Sequence, residues 1–391
     1  MKEIELKSWF PEAYRVSIES VCRWGDGYGV LLTIWETDEY RARWNMLIQI
    51  TDGEIIKKYQ FDKAIKWRSV YGLGKGKYLL GSYHGESKPA VVSLFQGEEL
   101  LKTRYFDKGY ATEIRSFQPT VDDNILVEGA YCTIEPAGGH DEYYVHGWTH
   151  KITEDLVDAE GSTFTQHQLC YEGGQHKDDN GAGDYYAFDR YMIGKYNAAG
   201  KLLWQQDTAI TGQERSSKLL SLAPYYLMKG GTLSTDGVLA GGKRGYAHHE
   251  RGTGMYYPTF FRLSAGGTLL NLSKHLEAIP HLQSVLSIMS IKDGDYYVLG
   301  ETLIVGEGNG LCLLQVELRP QFSIRSLRYI NINESGLLPT IEETPSFCGA
   351  FISVMAVHQN TKEGKFMVFV NTREGSHGYG KVWSFLIDDK V

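Results

Sequence analysis

The sequence predicts an all-β chain assembled from a repeated four-stranded antiparallel motif. Three observations carry that prediction. Glycine is abundant (44) and proline scarce (10), with 26 tyrosines, so glycine-bearing turns separate aromatic and β-branched runs throughout. Long segments with helical periodicity are nearly absent. Hairpin turns recur near residues 26, 75, 123, 236, 293 and 363, an interval of about 50 residues with one gap of double length, which is the spacing of a repeat architecture.

The clearest repeat runs from Trp67 to Tyr105. Trp67 to Tyr71 is a short apolar strand, Gly74-Lys75-Gly76 turns the chain, and Lys77 to Tyr83 returns as a strand rich in Tyr and Leu. His84 to Lys88 is a polar loop, Ala90 to Phe95 a third strand, Gln96-Gly97 a tight turn, and Glu98 to Tyr105 a half-polar outer strand. Such a sheet cannot bury both faces alone and needs neighbours of its own kind.

The other repeats are looser copies. The first (14–62) turns at Gly25-Asp26-Gly27, runs from Tyr28 to Trp35, loops at Glu36 to Arg43 and returns from Met46 to Ile50. The second spans 66–107. The third (114–160) turns at Asp122-Asp123-Asn124 and continues as Ile125 to Thr133, a long loop from Ile134 to Tyr144 and a strand from Val145 to Ile152. The fourth (163–210) takes Thr163 to Glu172 as an inner strand pair, Gly173 to Tyr186 as a loop, Asp189 to Tyr196 as its third strand and Lys201 to Gln206 as its outer strand. The fifth (217–273) loops through Lys243 to Met255, the sixth (284–330) through Thr302 to Gly310, and the seventh (348–391) through Thr372 to Gly380. Gly336 to Ser346, with Pro339 and Pro345, reads as a connection between repeats.

The seventh repeat lacks an outer strand, whereas Ile4 to Phe10, within residues 3–10, is a strand without a repeat of its own. Pairing it beside Lys381 to Ile387 closes a ring and removes two open sheet edges. The expectation is therefore a seven-bladed β-propeller of four-stranded antiparallel blades, one domain over 1–391. Two stacked β-sandwiches or an open solenoid do not explain the matching ends. Six or eight blades stay open because the third and fourth repeats are blurred.

Two short stretches carry a family resemblance. Tyr196-Asn-Ala-Ala-Gly-Lys-Leu-Leu-Trp204 resembles the outer half of a blade in the quinoprotein-like propeller superfamily, and Val238-Leu-Ala-Gly-Gly242 resembles the double glycine of kelch-type blades. The resemblance implies a propeller; nothing in the chain matches a quinone site.

The formal charge of −8 and the lack of a Lys/Arg run argue against a nucleic-acid partner. The five cysteines, Cys22, Cys132, Cys170, Cys312 and Cys348, have no Cys-x-x-Cys spacing and read as buried reduced thiols. No apolar run has the length of a bilayer span, and the N-terminus lacks a signal-peptide core, so no membrane partner and a cytoplasmic location are expected.

The connections between second and third strands are expected to share one face and to be longer than the glycine turns opposite. They hold His84, His140, His176, His248, His249 and His377. Long polar loops on a rigid scaffold are where recognition is usually placed. The candidate binding set is therefore His84, His140, Asp141, Tyr143, His176, Asp178, Asp179, Tyr246, His248, His249, Glu250, Arg251 and His377. The His and Asp content also admits a divalent metal, although no pair has a recognised ligand spacing, and no cofactor is assigned. Asp178-Asp179-Asn180-Gly181 has the residue types of a calcium loop but no closing Glu and no preceding helix. No Gly-x-Ser-x-Gly elbow occurs. Aromatic residues beside the loops, Trp44 and Tyr257 among them, suit protein or carbohydrate recognition or plug gaps between blades.

The reading that follows is a monomeric protein-binding scaffold using the long-loop face, for instance a bacterial immunity or adaptor protein. A hydrolase or lyase acting on a sugar or lactone over the central channel, or a small-ligand or glycan sensor, remain as alternatives.

Overall fold

The computed structural model describes residues 2–37, 43–52, 54–83, 89–107, 110–120, 122–137, 140–162, 164–168, 175–177, 185–188, 192–197, 201–207, 224–234, 237–246, 255–292, 294–304, 308–318, 321–331, 340–342, 351–360, 365–374 and 377–386. The chain divides into two compact units, residues 1–169 with 350–390, and residues 170–349 with the last residue.

The first unit opens with β1 (Lys2–Glu5) and a 3-10 turn, Leu6–Trp9. Three antiparallel meanders follow. The first is β2 (Arg15–Trp24), β3 (Gly27–Trp35), β4 (Arg43–Thr51) and β5 (Glu54–Gln60); the second is β6 (Lys66–Gly74), β7 (Lys77–Tyr83), β8 (Ala90–Gln96) and β9 (Glu99–Phe106). The third is β10 (Tyr110–Pro119), β11 (Ile125–Ala137), β12 (His140–Ile152) and β13 (Thr165–Gln168).

The second unit contains β14 (Gln175–Lys177), β15 (Tyr185–Phe188), β16 (Met192–Tyr196) and β17 (Leu202–Asp207), then β18 (Pro224–Ser234), β19 (Gly237–Tyr246), β20 (Met255–Ser264) and β21 (Leu269–Asn271). A short helix, α1 (Ser273–Glu277), leads to β22 (Leu282–Lys292), β23 (Asp295–Ile304), β24 (Gly308–Glu317), β25 (Ser323–Asn331) and β26 (Thr340–Glu342).

The chain then returns to the first unit with β27 (Phe351–Asn360), β28 (Lys365–Glu374) and β29 (His377–Leu386), and β1 completes this sheet by pairing antiparallel with β29, Ile4 opposite Val382. The protein is thus all-β, built from four-stranded antiparallel sheets, the unit from which propellers are made. Among the described residues no helix is long and apolar enough to cross a membrane.

Burial falls outward across the first two meanders. In the first meander β3 is buried along nearly its whole length, whereas β5 is mostly exposed. Apolar runs such as Tyr28-Gly-Val-Leu-Leu form the strands covered on both faces, and half-polar runs form the outer ones. Free Cys22 and Cys312 sit in this interior, where burial, offset in part by backbone hydrogen bonds, pushes both thiols up to about 12; Cys132 is free and half-buried. Cys170 and Cys348 lie outside the described residues.

The first strands β2, β6, β10, β18, β22 and β27 share a local irregularity. In β2 the partners are Ile18–Leu32 and Ser20–Leu31, which leaves Glu19 as the extra residue of a β-bulge. Arg68 is the extra residue in β6, Arg115 in β10, Lys229 in β18, Leu286 in β22 and Met355 in β27. The next residue is always small: Ser20, Ser69, Ser116, Gly230, Ser287 and Ala356. A small side chain here lets the neighbouring first strand come close. Ser20 Oγ accepts from Val70 N at 3.3 Å, and Ser69 Oγ donates to the Ile114 carbonyl at 3.1 Å. Gly81, opposite Ser69, serves the same approach, since a Cβ there would collide with Ile114. Asparagines add a second fastening. Asn371 of β28 donates to Ile18 O (2.9 Å) and accepts from Ile18 N (2.8 Å), joining β28 to β2.

Several sequence expectations are corrected. The N-terminal strand is Lys2–Glu5 rather than Ile4 to Phe10, because the chain turns at Leu6, which is fully buried in the core beside Val16 and Ile18. The third repeat begins earlier, with β10, and Thr163 to Glu172 is no inner pair of the fourth: Thr165–Gln168 is the outer strand of the third meander, paired with β12. The expected loop Ile134 to Tyr144 is largely strand, with Ile134 opposite Tyr143 and Ala137 opposite His140. Those strand ends flank Gly138-Gly139, a two-residue hairpin signal. Ladders likewise extend into the expected loops at Lys243–Tyr246, Thr302–Ile304 and Thr372–Glu374, since backbone pairing needs no apolar side chain. In the expected loop Gly173 to Tyr186, β14 pairs with β15.

Candidate functional site

The sequence-predicted site residues fall into two groups. His84, Asp178, Asp179, His248, His249, Glu250 and Arg251 lie outside the described residues. The backbones of the remainder are strand rather than loop. His140, Asp141 and Tyr143 belong to β12, opposite Ala137, Pro136 and Ile134; His176 belongs to β14, opposite Tyr186. Tyr246 ends β19, and His377 begins β29 opposite Glu374. Among the described residues no group of three or more His, Cys, Asp or Glu has the geometry to hold a metal ion.

A different set of residues converges where the first two meanders meet. A cleft of about 350 Å3 opens at the end of the sheets from which the β3–β4 and β7–β8 connections leave, between Thr33, Trp44 and Asn45 on one side and Trp67, Arg68 and Tyr83 on the other. Its scaffold is Asn45, buried on β4. The Asn45 amide donates to Leu32 O (3.2 Å) and Thr33 Oγ1 (3.0 Å), and its side-chain oxygen accepts from Trp67 N at 2.9 Å. The two amide bonds fix the side chain on β3, and its oxygen then fastens β6 to the first meander at Trp67, beside Arg68.

The bulges aim the charged groups. Glu19 and Arg68 are the extra residues of β2 and β6, and both line the cleft. Glu113, from β10 of the third meander, is buried at its base. Arg115 Nε donates to Glu113 Oε1 at 2.5 Å, and Arg68 Nε lies 3.4 Å from Glu113 Oε2. Beside it Ser116 Oγ donates to Glu128 Oε2 at 2.6 Å, and Glu128 is likewise buried. At the mouth Lys63 Nζ is 2.7 Å from Glu36 Oε1 in an exposed pair, an arrangement of little energetic worth in water. Arg43 and Lys66 complete a lining of four cations against the carboxylates of Glu19 and Glu113. The cleft therefore favours a ligand carrying negative charge, with Trp44 and Trp67 offering apolar surface beside it.

Behind Trp67 lies an aromatic cluster. Trp24, Tyr59, Phe61, Tyr78 and Phe95 pack with it at ring separations from 4.9 to 6.4 Å. Burial raises the Tyr78 hydroxyl above the ordinary phenol range, with Tyr59 and Glu98 adding to the shift, and that hydroxyl donates to Gly97 O at 2.5 Å. Tyr78 thus stays a neutral donor that anchors the β8–β9 turn.

No family model matches this chain, and no curated protein matches it. Solved structures with similar strand arrangement include the Neurospora crassa Pan2 WD40 domain, at 9% identity and a TM-score of 0.46, covering 99% of this chain and 95% of that one. A puromycin-hydrolyzing peptidase of Mycobacterium tuberculosis is similar over 94% of this chain and 54% of its own, at 8% identity and a TM-score of 0.46. A subtype N10 neuraminidase-like protein (little yellow-shouldered bat, Guatemala) is similar over 98% of both chains, at 9% identity and a TM-score of 0.40. At such overlap the strand pairing itself defines the fold.

Sequence reasoning missed Glu19, Arg43, Lys63, Lys66, Arg68 and Glu113. The signal available was a charged residue followed by serine in successive first strands: Glu19-Ser20, Arg68-Ser69 and Arg115-Ser116.

Proposed function

We propose that the protein is a protein-binding scaffold, a seven-bladed ring closed by β1, which holds an acidic segment of its partner in the cleft between the first two meanders. The observation that supports this reading is the gathering of Arg43, Lys63, Lys66 and Arg68 at one sheet end, on a frame fastened by Asn45. Arg43, Lys66 and Arg68 stand on strands, where cations on a rigid frame lose little entropy on binding, and carboxylates are the groups that such donors recognise.

The test is a titration of the purified protein with short acidic, neutral and basic peptides and with uronic acids, followed by isothermal calorimetry. Binding of acidic peptides alone, weakened by salt and reduced about tenfold in Arg43→Glu/Arg68→Glu, is expected. Lys57→Glu, on exposed β5 outside the cleft, serves as the charge control. Preference for the uronic acids, or turnover of a glycoside or lactone in the same cleft, overturns the scaffold reading in favour of the sugar-acting one.

A further inference from the structure

A second cavity lies on the other side of Ile65 and Trp67, at the outer flank of the second meander. Its volume is about 550 Å3. The floor is aromatic and rigid: Phe61, Trp67 and Phe95 contact one another edge-on or tilted at centroid distances of 6.3, 6.0 and 5.5 Å. The outer wall belongs to β9, with Leu100 54% and Tyr105 66% exposed. Two carboxylates, Asp62 and Glu98, also line the groove, and neither has a cationic partner among the described residues. The Asp62 carboxylate is turned by a hydrogen bond from Ala64 N at 2.8 Å.

β9 adds a further feature. It pairs with β8 on one side only, so among the described residues its other edge carries backbone donors and acceptors in the plane of the sheet, at the outer rim of the face that lines the groove. Exposed strand edges are templates for an added strand. Its groove-facing Thr103 and Tyr105 alternate with Arg104 and Phe106, which turn toward the third meander.

We propose that this groove binds an extended segment of a partner protein, added as a strand to the edge of β9, with an arginine or lysine side chain lying over the aromatic floor between Asp62 and Glu98. The aliphatic stem of such a side chain matches the apolar walls, its charge matches the two carboxylates, and the ring faces add a favourable electrostatic environment for a cation. The site is separate from the cationic cleft, and the charge it selects is opposite.

The experiment uses the full chain and a set of synthetic peptides, Val-Thr-Arg-Val-Tyr, the same peptide with citrulline for arginine, and the same peptide with N-methylated backbone amides, read by tryptophan fluorescence and two-dimensional NMR. The arginine peptide is expected to bind, the citrulline peptide about tenfold more weakly, and the N-methylated peptide hardly at all. Asp62→Asn/Glu98→Gln should remove the preference for arginine over citrulline while leaving the fold, checked by circular dichroism, unchanged. Arg43→Glu/Arg68→Glu should leave the arginine peptide's affinity unaltered, which separates this site from the cleft. Equal affinity for the arginine and citrulline peptides, or undiminished binding of the N-methylated one, overturns the proposal.

Discussion

The two sides of β9 make an instructive pair. On the side toward the third meander everything is filled. Phe106 stacks on Trp148 at 5.1 Å, Trp148 on Phe164 at 5.3 Å, and a Cβ on Gly129 would run into the Trp148 ring. Above them Arg104 reaches Asp158 (2.5 Å), His150 Nε2 (3.3 Å) and the Leu156 carbonyl (3.2 Å). On the side toward the first meander the same strand borders an open groove with two carboxylates that have no ion-pair partner among the described residues. One strand, alternating residue by residue, seals one joint and leaves the other accessible. The difference lies in the side chains, because the neighbouring joint is bridged by an ionic contact and a ring stack.

The largest test of that contrast is Trp148→Ala. Trp148 is fully buried (0% exposed), and its loss should cost about 3–5 kcal/mol in urea unfolding. Tyr105→Ala, across the same strand and 66% exposed, should cost within about 0.5 kcal/mol. Comparable losses at both positions would erase the distinction between the sealed and open sides.

An intermediate effect is expected at the ionic bridge. The hydrogen bond from His150, and then that from Arg104, hold the Asp158 carboxyl below its usual range. A lowered folded-state value means that the stabilisation is present above the unfolded carboxylate value of about 4 and is lost as pH falls through the folded one. Urea midpoints measured from neutral pH down to the acid range should therefore fall less steeply in Asp158→Asn than in the parent protein. Identical slopes would show that the bridge contributes nothing. Asp122 behaves alike: burial alone would raise it, but hydrogen bonds from Lys151, Thr120 and Asn124 outweigh that and hold it low.

The smallest expected change in stability is in Thr103→Leu, which adds apolar volume to the groove wall. Stability should move by about 0.5 kcal/mol or less, yet the peptide should no longer fit. Unimpaired peptide binding would mean that the groove wall is not part of the contact surface.

How far the sequence could be read follows the same division between sealed and open. Strands such as β3, β7 and β8 announce themselves as buried apolar runs between glycine turns, and those turns are where they were expected, Gly74-Lys75-Gly76 having positive φ at all three residues (84°, 50°, 77°). Strands carried by backbone pairing alone leave no such trace. Thr165–Gln168 has four polar residues, and the outer turns of β11 and β12 continue a ladder into residues that read as loop. The cleft was illegible for a further reason. Glu19, Arg68 and Glu113 come from three first strands in three meanders, and what aims Glu19 and Arg68 into it is a bulge, visible in sequence only as a charged residue before a serine. The histidine-rich connections stand out by composition, whereas the cations that converge stand near strand ends and in the Phe61–Ile65 link, each unremarkable by itself.

The pairing of Lys2 with Ser384 has a kinetic corollary. Residues far apart in the sequence must meet before β1 can pair with β29, so during synthesis β1 waits until β29 has emerged. Contacts of such sequence separation form slowly, because the closure entropy is spent before any bonding is gained. A rearranged gene that fuses β1 directly behind β29 turns that encounter into a local hairpin, and the refolding rate is then free of the wait.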